Sequence, residues 1–308
     1  MDHPLYRGLL ARLERELEVL PDKPDETPCN TLDCLWALVA GQRLALSQVG
    51  TAEMVELDPA GQERLRQLVE LRLANAPLAH LTGRQDFMGL VLLASPGALV
   101  PRRETELLGW SALAKIASAD AAAPLVVDLC TGCGNLALAM AIYAPQARVW
   151  GSDLSPEAVE LAYENARFVG CPDVTFVVGD LAEPFDNPDF AGRVDVVTCN
   201  PPYISSAKVD GMHAEISDHE PRLAFDGGPF GVKVLLRLLK DAPRLLKPGG
   251  WLLFEVGLGQ GEPMHKRLAG LSAFDEVESI RDPNGDVRVL AARRSAIAVA
   301  DRPMVSGI

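Results

Sequence analysis

Hydrophobic residues along the first part of the chain recur at helical spacing. Leucine occupies every fourth position from Leu5 to Leu17, which places these side chains on one face of a helix. Prolines within 21–28 interrupt the pattern, because proline breaks a helix beyond its first turn. Asn30 or Thr31 then offers a side-chain oxygen that can cap a second helix. The pattern predicts two short helices separated by a proline-rich loop.

A third helical pattern follows, and then the sequence changes character. Asp58 before Pro59 is typical of a helix start, since Asp caps the backbone and Pro fits the first turn. Residues 1–79 are therefore predicted to form a small helical domain. The next residues are apolar, punctuated by Gly and without helical period, which predicts a hairpin with its turn near 88–89. We interpret 80–103 as a hairpin linker between two domains.

Strand-like and helix-like patterns alternate from residue 125 onward. Short apolar runs predict strands, and the longer amphipathic runs between them predict crossover helices and a mostly parallel sheet. The last two strand patterns are joined by a turn that leaves no room for a helix, which predicts an antiparallel hairpin at the sheet edge. The predicted strands are 125–129, 147–153, 174–180, 193–200, 250–257, 274–280 and 287–293, and the predicted helices are 135–143, 156–169, 231–246 and 260–270.

Composition and charge narrow the class of protein. The 308 residues are 48% hydrophobic and 23% charged, as in a soluble globular protein. The net charge of −13 argues against nucleic acid as the main ligand, because proteins that bind its phosphates normally have basic surfaces. The cysteines follow no disulfide spacing, no apolar run reaches the ~18 residues that span a bilayer, and the first residues lack a signal peptide's apolar core. These features predict a cytoplasmic protein without a membrane or nucleic-acid partner.

A glycine-rich loop follows the first strand of the alternating region. It reads DLCTGCGN over 128–135 and leads into a helix pattern. Glycine at a strand-to-helix turn permits positive φ and lets the backbone approach a ligand closely. The spacing matches neither the dinucleotide fingerprint nor the P-loop, and no second CxxC pair exists to build a zinc site with Cys130 and Cys133. Taken alone, the loop predicts either a ligand-binding turn or a tight structural one.

Carboxylates end the next two strand patterns. Asp153 stands about twenty residues after the glycines, where it can accept hydrogen bonds from both hydroxyls of a ribose. The Ser-Pro-Glu at 155–157 allows a second interpretation, in which Asp153 starts a helix. Asp180 could accept from the exocyclic amine of an adenine or be a solvated loop residue. Because ligands bind at the carboxyl edge of an open parallel sheet, polar groups at successive strand ends favour ligand binding.

The sequence Asn-Pro-Pro-Tyr at 200–203 ends the fourth strand pattern. The prolines cannot donate hydrogen bonds and make the turn rigid, while their carbonyl oxygens remain acceptors. The Asn side chain adds an acceptor and a donor at a fixed position, and Tyr adds a flat face. Such a turn can hold a planar –NH2 group with its lone pair directed across the site. We interpret it as the place where chemistry occurs at an amino or amide nitrogen.

Together these motifs resemble the class I S-adenosylmethionine-dependent methyltransferases, in which Asn-Pro-Pro-Tyr is the signature of amino-group methylation. The chain is most similar to the HemK family, the glutamine N5-methyltransferases of peptide chain release factors. The resemblance implies a Rossmann-like, seven-stranded α/β domain over 104–294, preceded by the small helical domain and the β-hairpin linker. Residues 295–308 are predicted to be a disordered tail. The matching segments are 77–108, 128–135, 200–205, 220–228, 246–262 and 282–294.

The resemblance also implies S-adenosylmethionine as the cofactor and a role for each matching residue. The glycine loop would wrap the methionine part, Asp153 would bind the ribose, and Asp180 would border the adenine. Asn200 and the carbonyl of Pro201 would accept from the target amide, and the N-terminal helices would receive the protein substrate. No metal and no catalytic His or Cys is expected. The predicted catalytic residues are Asn200, Pro201, Pro202 and Tyr203; the predicted cofactor-binding residues are Asp128, Cys130, Thr131, Gly132, Gly134, Asp153, Leu154, Asp180, Leu181 and Asn200; and those predicted near the substrate are Phe87, Arg102, Glu104 and Thr105.

The expected reaction is direct transfer of a methyl group to a glutamine side chain of a release factor. Departures from the family's motifs, among them Asn135 and Met212-His213, leave open a related enzyme that methylates a small-molecule amide or amine. A cofactor-binding partner subunit with little transfer activity is a third hypothesis. DNA adenine methylation is a fourth, which the acidic charge disfavours. We interpret His213 and His219 as parts of a polar flap rather than as metal ligands.

Overall fold

The computed structural model describes residues 3–51 and 55–296. Its elements form a group of N-terminal helices, a hairpin, and a seven-stranded sheet covered by helices. The predicted disordered tail, 295–308, lies outside the described residues from residue 297 onward. No helix within the described ranges is long and apolar enough to cross a membrane. The domain boundaries at residues 79 and 103 remain a proposal.

Four helices form the N-terminal group. They are α1 (Pro4–Glu16), α2 (Pro28–Val39), α3 (Pro59–Leu73) and α4 (Leu78–Thr82). The predicted cap of the second helix is wrong, because Thr27 caps it instead of Asn30 or Thr31. Thr27 Oγ1 accepts from the backbone N–H of Asn30 at 3.2 Å, and Pro28 fits the first turn, where its missing N–H has no cost. Asp58 caps α3 as predicted.

A hydrophobic core separate from that of the sheet holds these helices together. Leu13, Leu32, Trp36 and Leu65 are fully buried in it, and the indole N–H of Trp36 donates to the carbonyl of Val55 at 2.8 Å. Burial of each such side chain contributes about 1.5–3 kcal/mol relative to exposure. The helical spacing of the hydrophobic residues therefore corresponds to a buried face.

The predicted hairpin is confirmed. β1 (Arg84–Phe87) and β2 (Leu90–Leu93) pair in antiparallel fashion. Met88 and Gly89 lie between them with φ angles of 49° and 77°, the combination that a two-residue type I′ turn requires. A non-glycine residue at positive φ is uncommon, and the tight connection between the two strands imposes it here.

Seven strands form one mixed sheet. They are β3 (Leu125–Leu129), β4 (Arg148–Asp153), β5 (Thr175–Val178), β6 (Val194–Cys199), β7 (Leu246–Glu255), β8 (Phe274–Arg281) and β9 (Val287–Arg294). Their order across the sheet is β5-β4-β3-β6-β7-β9-β8. Neighbours from β5 to β7 are parallel, whereas β9 is antiparallel to both β7 and β8. The predicted Rossmann-like sheet with an antiparallel edge hairpin is confirmed. β7 begins earlier than predicted, since a register shift against β6 accommodates the Pro-Gly-Gly at 248–250.

Helices cover both faces of the sheet. They are α5 (Glu106–Ala117), α6 (Asn135–Tyr143), α7 (Pro156–Val169), α10 (Lys233–Leu245) and α11 (Gly261–Ala269). Two short helices, α8 (Ser206–Val209) and α9 (Ala214–Ser217), lie in the chain between β6 and α10. One buried core contains Leu238 of α10 and Phe254 of β7, and the other contains Leu108 of α5 and Leu138 of α6. Because the parallel strands run in one direction, their carboxyl ends meet at a single edge of the sheet.

Candidate functional site

A cavity of about 690 Å³ opens at the carboxyl edge of the parallel strands. Cofactor and ligand sites typically have volumes of about 300–1,000 Å³. The loops after β3, β4, β5 and β6 all contribute to its wall. The sequence-predicted residues that line this cavity are Arg102, Thr105, Cys130, Thr131, Gly132, Asp153, Leu154, Asp180, Leu181, Asn200 and Pro202.

Asp128 lies beneath the glycine loop and not in the wall of the cavity. It is fully buried, and its two carboxylate oxygens accept from the hydroxyls of Thr198 at 2.7 Å and Thr131 at 2.6 Å. Burial raises the pKa of Asp128 to about 7, and the two hydroxyl donors oppose that rise. The carboxyl group therefore fixes the start of the loop through Thr131, which does line the cavity.

Positive φ angles shape the loop above Asp128. Cys130, Gly132 and Gly134 have φ angles of 57°, 55° and 83°. A Cβ atom at Gly132 would meet no atom within 4 Å, whereas one at Gly134 would lie 3.0 Å from the ring of Phe176. Gly132 lines the cavity, but the structure places Gly134 against the core at the start of α6. Gly134 therefore has a packing role, and its contact with the cofactor remains a prediction.

Asp153 ends β4 with both carboxylate oxygens engaged by the backbone. Oδ2 accepts from the N–H of Gly132 at 2.8 Å, and Oδ1 accepts from the N–H of Ser155 at 2.9 Å. Burial raises the pKa of Asp153, and these backbone donors oppose the rise. The cap of α7 is a different residue, since Ser155 Oγ accepts from the N–H of Ala158 at 3.1 Å. Asp153 retains lone pairs that can accept from hydroxyl groups in the cavity.

Asp180, which is predicted to border the adenine, forms a salt bridge with Arg237. Asp180 Oδ2 lies 2.9 Å from Nη1 of Arg237, and both side chains are partly exposed. Arg237 and Lys233 of α10 complete this part of the cavity wall. The neighbouring Leu181 has a φ of 51°, and its carbonyl accepts from the hydroxyl of Ser152 at 2.9 Å. Arg237 and Lys233 were not predicted from the sequence, although two cations four residues apart on one helix face were the available signal.

Asn200 stands between the large cavity and a second pocket of about 200 Å³. Its Nδ2 donates to Oγ1 of Thr105 at 3.1 Å, and within the described ranges no group donates to its Oδ1. The Thr105 hydroxyl donates to Oε2 of Glu255 at 2.7 Å, and the Tyr203 hydroxyl donates to Oε1 of Glu255 at 2.8 Å. Burial raises the pKa of Glu255 and of Tyr203. Because Thr105 occupies the Asn200 donor, the acceptor oxygen of Asn200 is the group left for a ligand.

The second pocket, called here the Asn200 pocket, combines a polar end with apolar walls. Three further predicted residues, Glu104, Pro201 and Tyr203, line it together with Asn200. The walls include apolar side chains from the chain that follows the Asn-Pro-Pro-Tyr turn and from α9. These apolar residues are Ile204, Met212, Ile216 and Phe225. The pocket therefore offers apolar walls together with the hydrogen-bond acceptors of Asn200 and Pro201.

Arg102 lines both cavities and is almost completely buried. Its Nη2 donates to Oε1 of Glu220 at 2.5 Å, and its Nε lies 3.6 Å from Oδ2 of Asp22. The backbone N–H of Val100 donates to the other oxygen of Glu220 at 2.9 Å. The buried Nη1 of Arg102 has no hydrogen-bond partner in the part of the chain that the structure describes. A cation with a free donor suits a carboxylate or carbonyl oxygen of a ligand.

Phe87 is predicted near the substrate, but the structure places it in the lining of neither cavity. Its side chain is fully buried in the core that contains Leu108, because the last residue of β1 faces the sheet, where burial of an aromatic ring is favourable.

Cys133 is also buried, which raises the pKa of its thiol to about 12 and keeps it protonated at neutral pH. No group of three or more His, Cys, Asp or Glu suited to a metal ion occurs among the described residues.

The predicted flap histidine His213 has a local structural role. Its Nδ1 accepts from the backbone N–H of Glu215 at 3.1 Å and caps α9, and its Nε2 lies 3.4 Å from Oε2 of Glu18. These contacts connect the chain after the Asn-Pro-Pro-Tyr turn to the N-terminal helices. Contact of His213 or His219 with substrate remains a prediction.

The sequence of this chain is similar to those of known methyltransferases. A family model described as a methyltransferase domain matches residues 126–219. A release factor glutamine methyltransferase from Moorella thermoacetica is 37% identical over 240 residues, which cover 78% of this chain and 82% of that protein. One of the same name from Streptomyces coelicolor is 35% identical over 93% of this chain and 98% of its own length. The crystal structure of a methyltransferase from Pyrococcus furiosus is 18% identical, covers 76% of this chain and 98% of its own, and superimposes with a TM-score of 0.45.

Proposed function

This chain belongs to the release factor glutamine methyltransferase family, and from that membership we propose that its methyl acceptor is a glutamine side chain of a peptide chain release factor. It is an S-adenosylmethionine-dependent methyltransferase with a Rossmann-like class I fold. The observation that carries the proposal is the amide of Asn200, whose donor is occupied by Thr105 and whose acceptor is left for a ligand at the boundary of two cavities.

The residues of the large cavity fit S-adenosylmethionine. Its volume suits a ligand of that size, and the carboxylate of Asp153 can accept from the ribose hydroxyls. Asp180 and Leu181 would border the adenine, and the glycine loop around Gly132 would follow the methionine part. Arg102, which lines this cavity, would place a positive charge near the carboxylate of that part. When bound, the cofactor supplies an electrophilic methyl carbon attached to a positively charged sulfur.

The Asn200 pocket fits the other reactant, a primary amide. An amide nitrogen is a poor nucleophile, because its lone pair is delocalised into its carbonyl group. Oδ1 of Asn200 and the carbonyl oxygen of Pro201 would accept one N–H each, which orients the nitrogen toward the large cavity and increases its electron density. Holding reactants in line can lower a barrier by about 7–11 kcal/mol in favourable cases.

The chain's own residues need not remove a proton before transfer. Among the described residues, the linings of the two cavities contain no histidine. Their one cysteine is Cys130, and the thiol of Cys133 lies buried outside both linings. Attack on a positively charged group relieves that charge, and the amide nitrogen becomes strongly acidic only once methylated. Release of its proton to water can therefore follow the transfer. The geometry of Asn200 and Pro201, rather than a general base, would account for the rate.

A release-factor substrate agrees with the cytoplasmic location that the free cysteines favour, since release factors act at the ribosome. The test is to mix the purified protein with methyl-tritiated S-adenosylmethionine and an undialysed lysate of a host that lacks the enzyme. We expect label in one protein band, a release factor, at a glutamine. Label confined to the small-molecule fraction would replace the proposal with a small-molecule acceptor. Cofactor binding without any transfer would indicate a partner subunit.

A further inference from the structure

Glu255 touches neither cavity, yet it ends a chain of hydrogen bonds that begins at Asn200. We infer that Glu255 is a positioning residue that acts through Thr105 to hold the Asn200 amide with its acceptor oxygen toward the methyl-accepting nitrogen. The inference rests on the proposed function, because it assigns the cause of the Asn200 geometry that the function uses.

The Thr105 hydroxyl has a single proton. That hydroxyl is 2.7 Å from a carboxylate oxygen of Glu255, which can only accept, so its proton is committed to Glu255. Toward Asn200 the same hydroxyl can therefore only accept. The group of Asn200 that meets it at 3.1 Å must be the Nδ2 donor. Rotation of the amide by half a turn would bring two acceptors together and break this bond.

The neighbours of Glu255 hold it as an acceptor. The Tyr203 hydroxyl donates to its other oxygen at 2.8 Å, and Nη2 of Arg288 lies 3.5 Å from that oxygen. The Arg288 guanidinium supplies the opposite charge that a buried carboxylate requires. Burial raises the pKa of Glu255, whereas the hydroxyls of Thr105 and Tyr203 and the charge of Arg288 favour its ionised form.

Glu255 lies buried at the end of a strand, and its carboxylate therefore requires a hydrogen-bond donor on each oxygen. It is the last residue of β7, it pairs with Val289 of β9, and it is only 1% exposed. A carboxylate among apolar strand residues is costly unless it is hydrogen-bonded on both oxygens. Here each oxygen receives one hydroxyl, and both hydroxyls belong to residues that line the candidate site.

Two routes connect Glu255 to the site, and the test must separate them. One runs through Thr105 to Asn200, and the other runs to Tyr203. We would prepare Thr105→Val, Thr105→Ser, Glu255→Met, Tyr203→Phe and the double variant Thr105→Val/Glu255→Met. Thr82→Val, which removes another buried hydroxyl at a residue that lines neither cavity, controls for general loss of packing. Each variant is assayed for kcat and for the Kd of S-adenosylmethionine, with the acceptor that the wild-type protein methylates.

We expect kcat to fall by about tenfold in Thr105→Val and in Glu255→Met, with little change in the Kd of the cofactor. Thr105→Ser should restore most of the rate, because it keeps the hydroxyl. The double variant should be no slower than the slower single variant, since both changes interrupt one route. Additive losses, or equal rates in Thr105→Val and wild type, would overturn the inference. A loss in Tyr203→Phe as large as that in Glu255→Met would assign the effect to Tyr203 instead.

The two proposals fail in different ways. If the wild-type protein does not methylate a release factor, the proposed acceptor is wrong, and the same variants are then compared with the acceptor that it does methylate. If the wild type is active and Glu255→Met does not fold, Thr105→Val and Thr105→Ser still decide the role of the hydroxyl. Equal kcat for these two variants contradicts the inference.

Discussion

Arg72 of α3 donates to Glu215 of α9 at 2.7 Å, although 143 residues separate them in sequence. Both side chains are almost completely buried. Glu26 accepts from the other terminal nitrogen of Arg72 at 2.8 Å, and Lys23 pairs with Glu215. These ion pairs join the N-terminal helices to the chain that follows the Asn-Pro-Pro-Tyr turn. The helical part of the chain therefore fixes one wall of the Asn200 pocket, to which α9 contributes Ile216.

Removal of Arg72 should destabilise the fold strongly. In Arg72→Met, Glu26 would lose its hydrogen-bonded cation and Glu215 would keep only Lys23. Breaking a buried ion pair at one partner typically costs about 3–5 kcal/mol, because it leaves an uncompensated charge. Urea unfolding of wild type and variant measures the change in the free energy of unfolding.

The matched control is an exposed ion pair. Arg281 lies 2.9 Å from Glu262, with side chains 52% and 63% exposed. Arg281→Met should change the free energy of unfolding by less than about 1 kcal/mol, since solvent screens this pair. Similar effects of the two substitutions would show that the buried network has no special role in stability.

Loss of the Asn200 side chain should separate turnover from cofactor binding. In Asn200→Ala the acceptor amide loses one of the two oxygens that orient it, and removal of one such preorganised group typically costs about 10²–10³-fold in kcat. The Kd of S-adenosylmethionine should change little, since Asp153 and the glycine loop remain. Calorimetric titration and initial rates measure the two quantities. The exposed Asn284→Ala is the control, and wild-type rates in Asn200→Ala would contradict the assigned role.

Cofactor affinity should depend on pH through Asp128. Its pKa in the free protein is about 7, and a cationic ligand nearby would lower that pKa. The bound state then holds fewer protons than the free state, so affinity should increase as pH rises toward about 7 and level off above it. Titrations of the Kd across this range test the dependence. Asp128→Asn should lose the part of this dependence near pH 7, and an unchanged pH profile in that variant would exclude Asp128 as its origin.

A methyl group at Gly231 should disturb the reactive turn. Gly231 has a φ of 70°, and a Cβ atom there would lie 2.2 Å from the carbonyl oxygen of Tyr203. Gly285 has a φ of 89° with no atom within 4 Å of such a Cβ, so it bears the same backbone strain without the clash. Gly231→Ala should lower kcat well beyond Gly285→Ala while both proteins stay folded by circular dichroism. Equal rates would show that the turn tolerates this displacement.

Gly231→Ala should also lower the stability of the protein more than Gly285→Ala does. Alanine at positive φ costs about 1 kcal/mol in either position. Gly231→Ala adds the displacement of backbone next to Tyr203, so its melting temperature should fall further than that of Gly285→Ala. Differential scanning calorimetry compares the two, and a larger fall in Gly285→Ala would contradict the packing that the structure shows around Gly231.

The sequence was sufficient for the sheet and for those parts of the site that follow strand ends. Alternation of apolar runs and helical patterns is a local property, and it predicted the strands and the edge hairpin. Asp153 and Asp180 could be placed because one ends a strand and the other lies two residues beyond a strand, and strand direction sets the edge that each reaches. The start of α2 was placed too late because Asn30 and Thr31 were preferred over Thr27 followed by Pro28, which is the stronger start signal.

Contacts between side chains far apart in the sequence could not be predicted from local patterns. Thr105 and Glu255 are 150 residues apart, and no local pattern shows that their side chains meet. The family resemblance predicts Phe87 near the site, but the direction of a single side chain at a strand end depends on the turn that follows. The salt bridge between Asp180 and Arg237 likewise depends on how α10 packs against the sheet.

The most direct test of the account is site mapping on a purified release factor. The wild-type protein and Asn200→Ala are each incubated with that factor and S-adenosylmethionine, and peptides are analysed by tandem mass spectrometry. We predict the mass of one methyl group on one glutamine side chain with the wild type, and almost none with Asn200→Ala. An unmodified release factor after incubation with the wild type, in a preparation that binds the cofactor, would contradict the account.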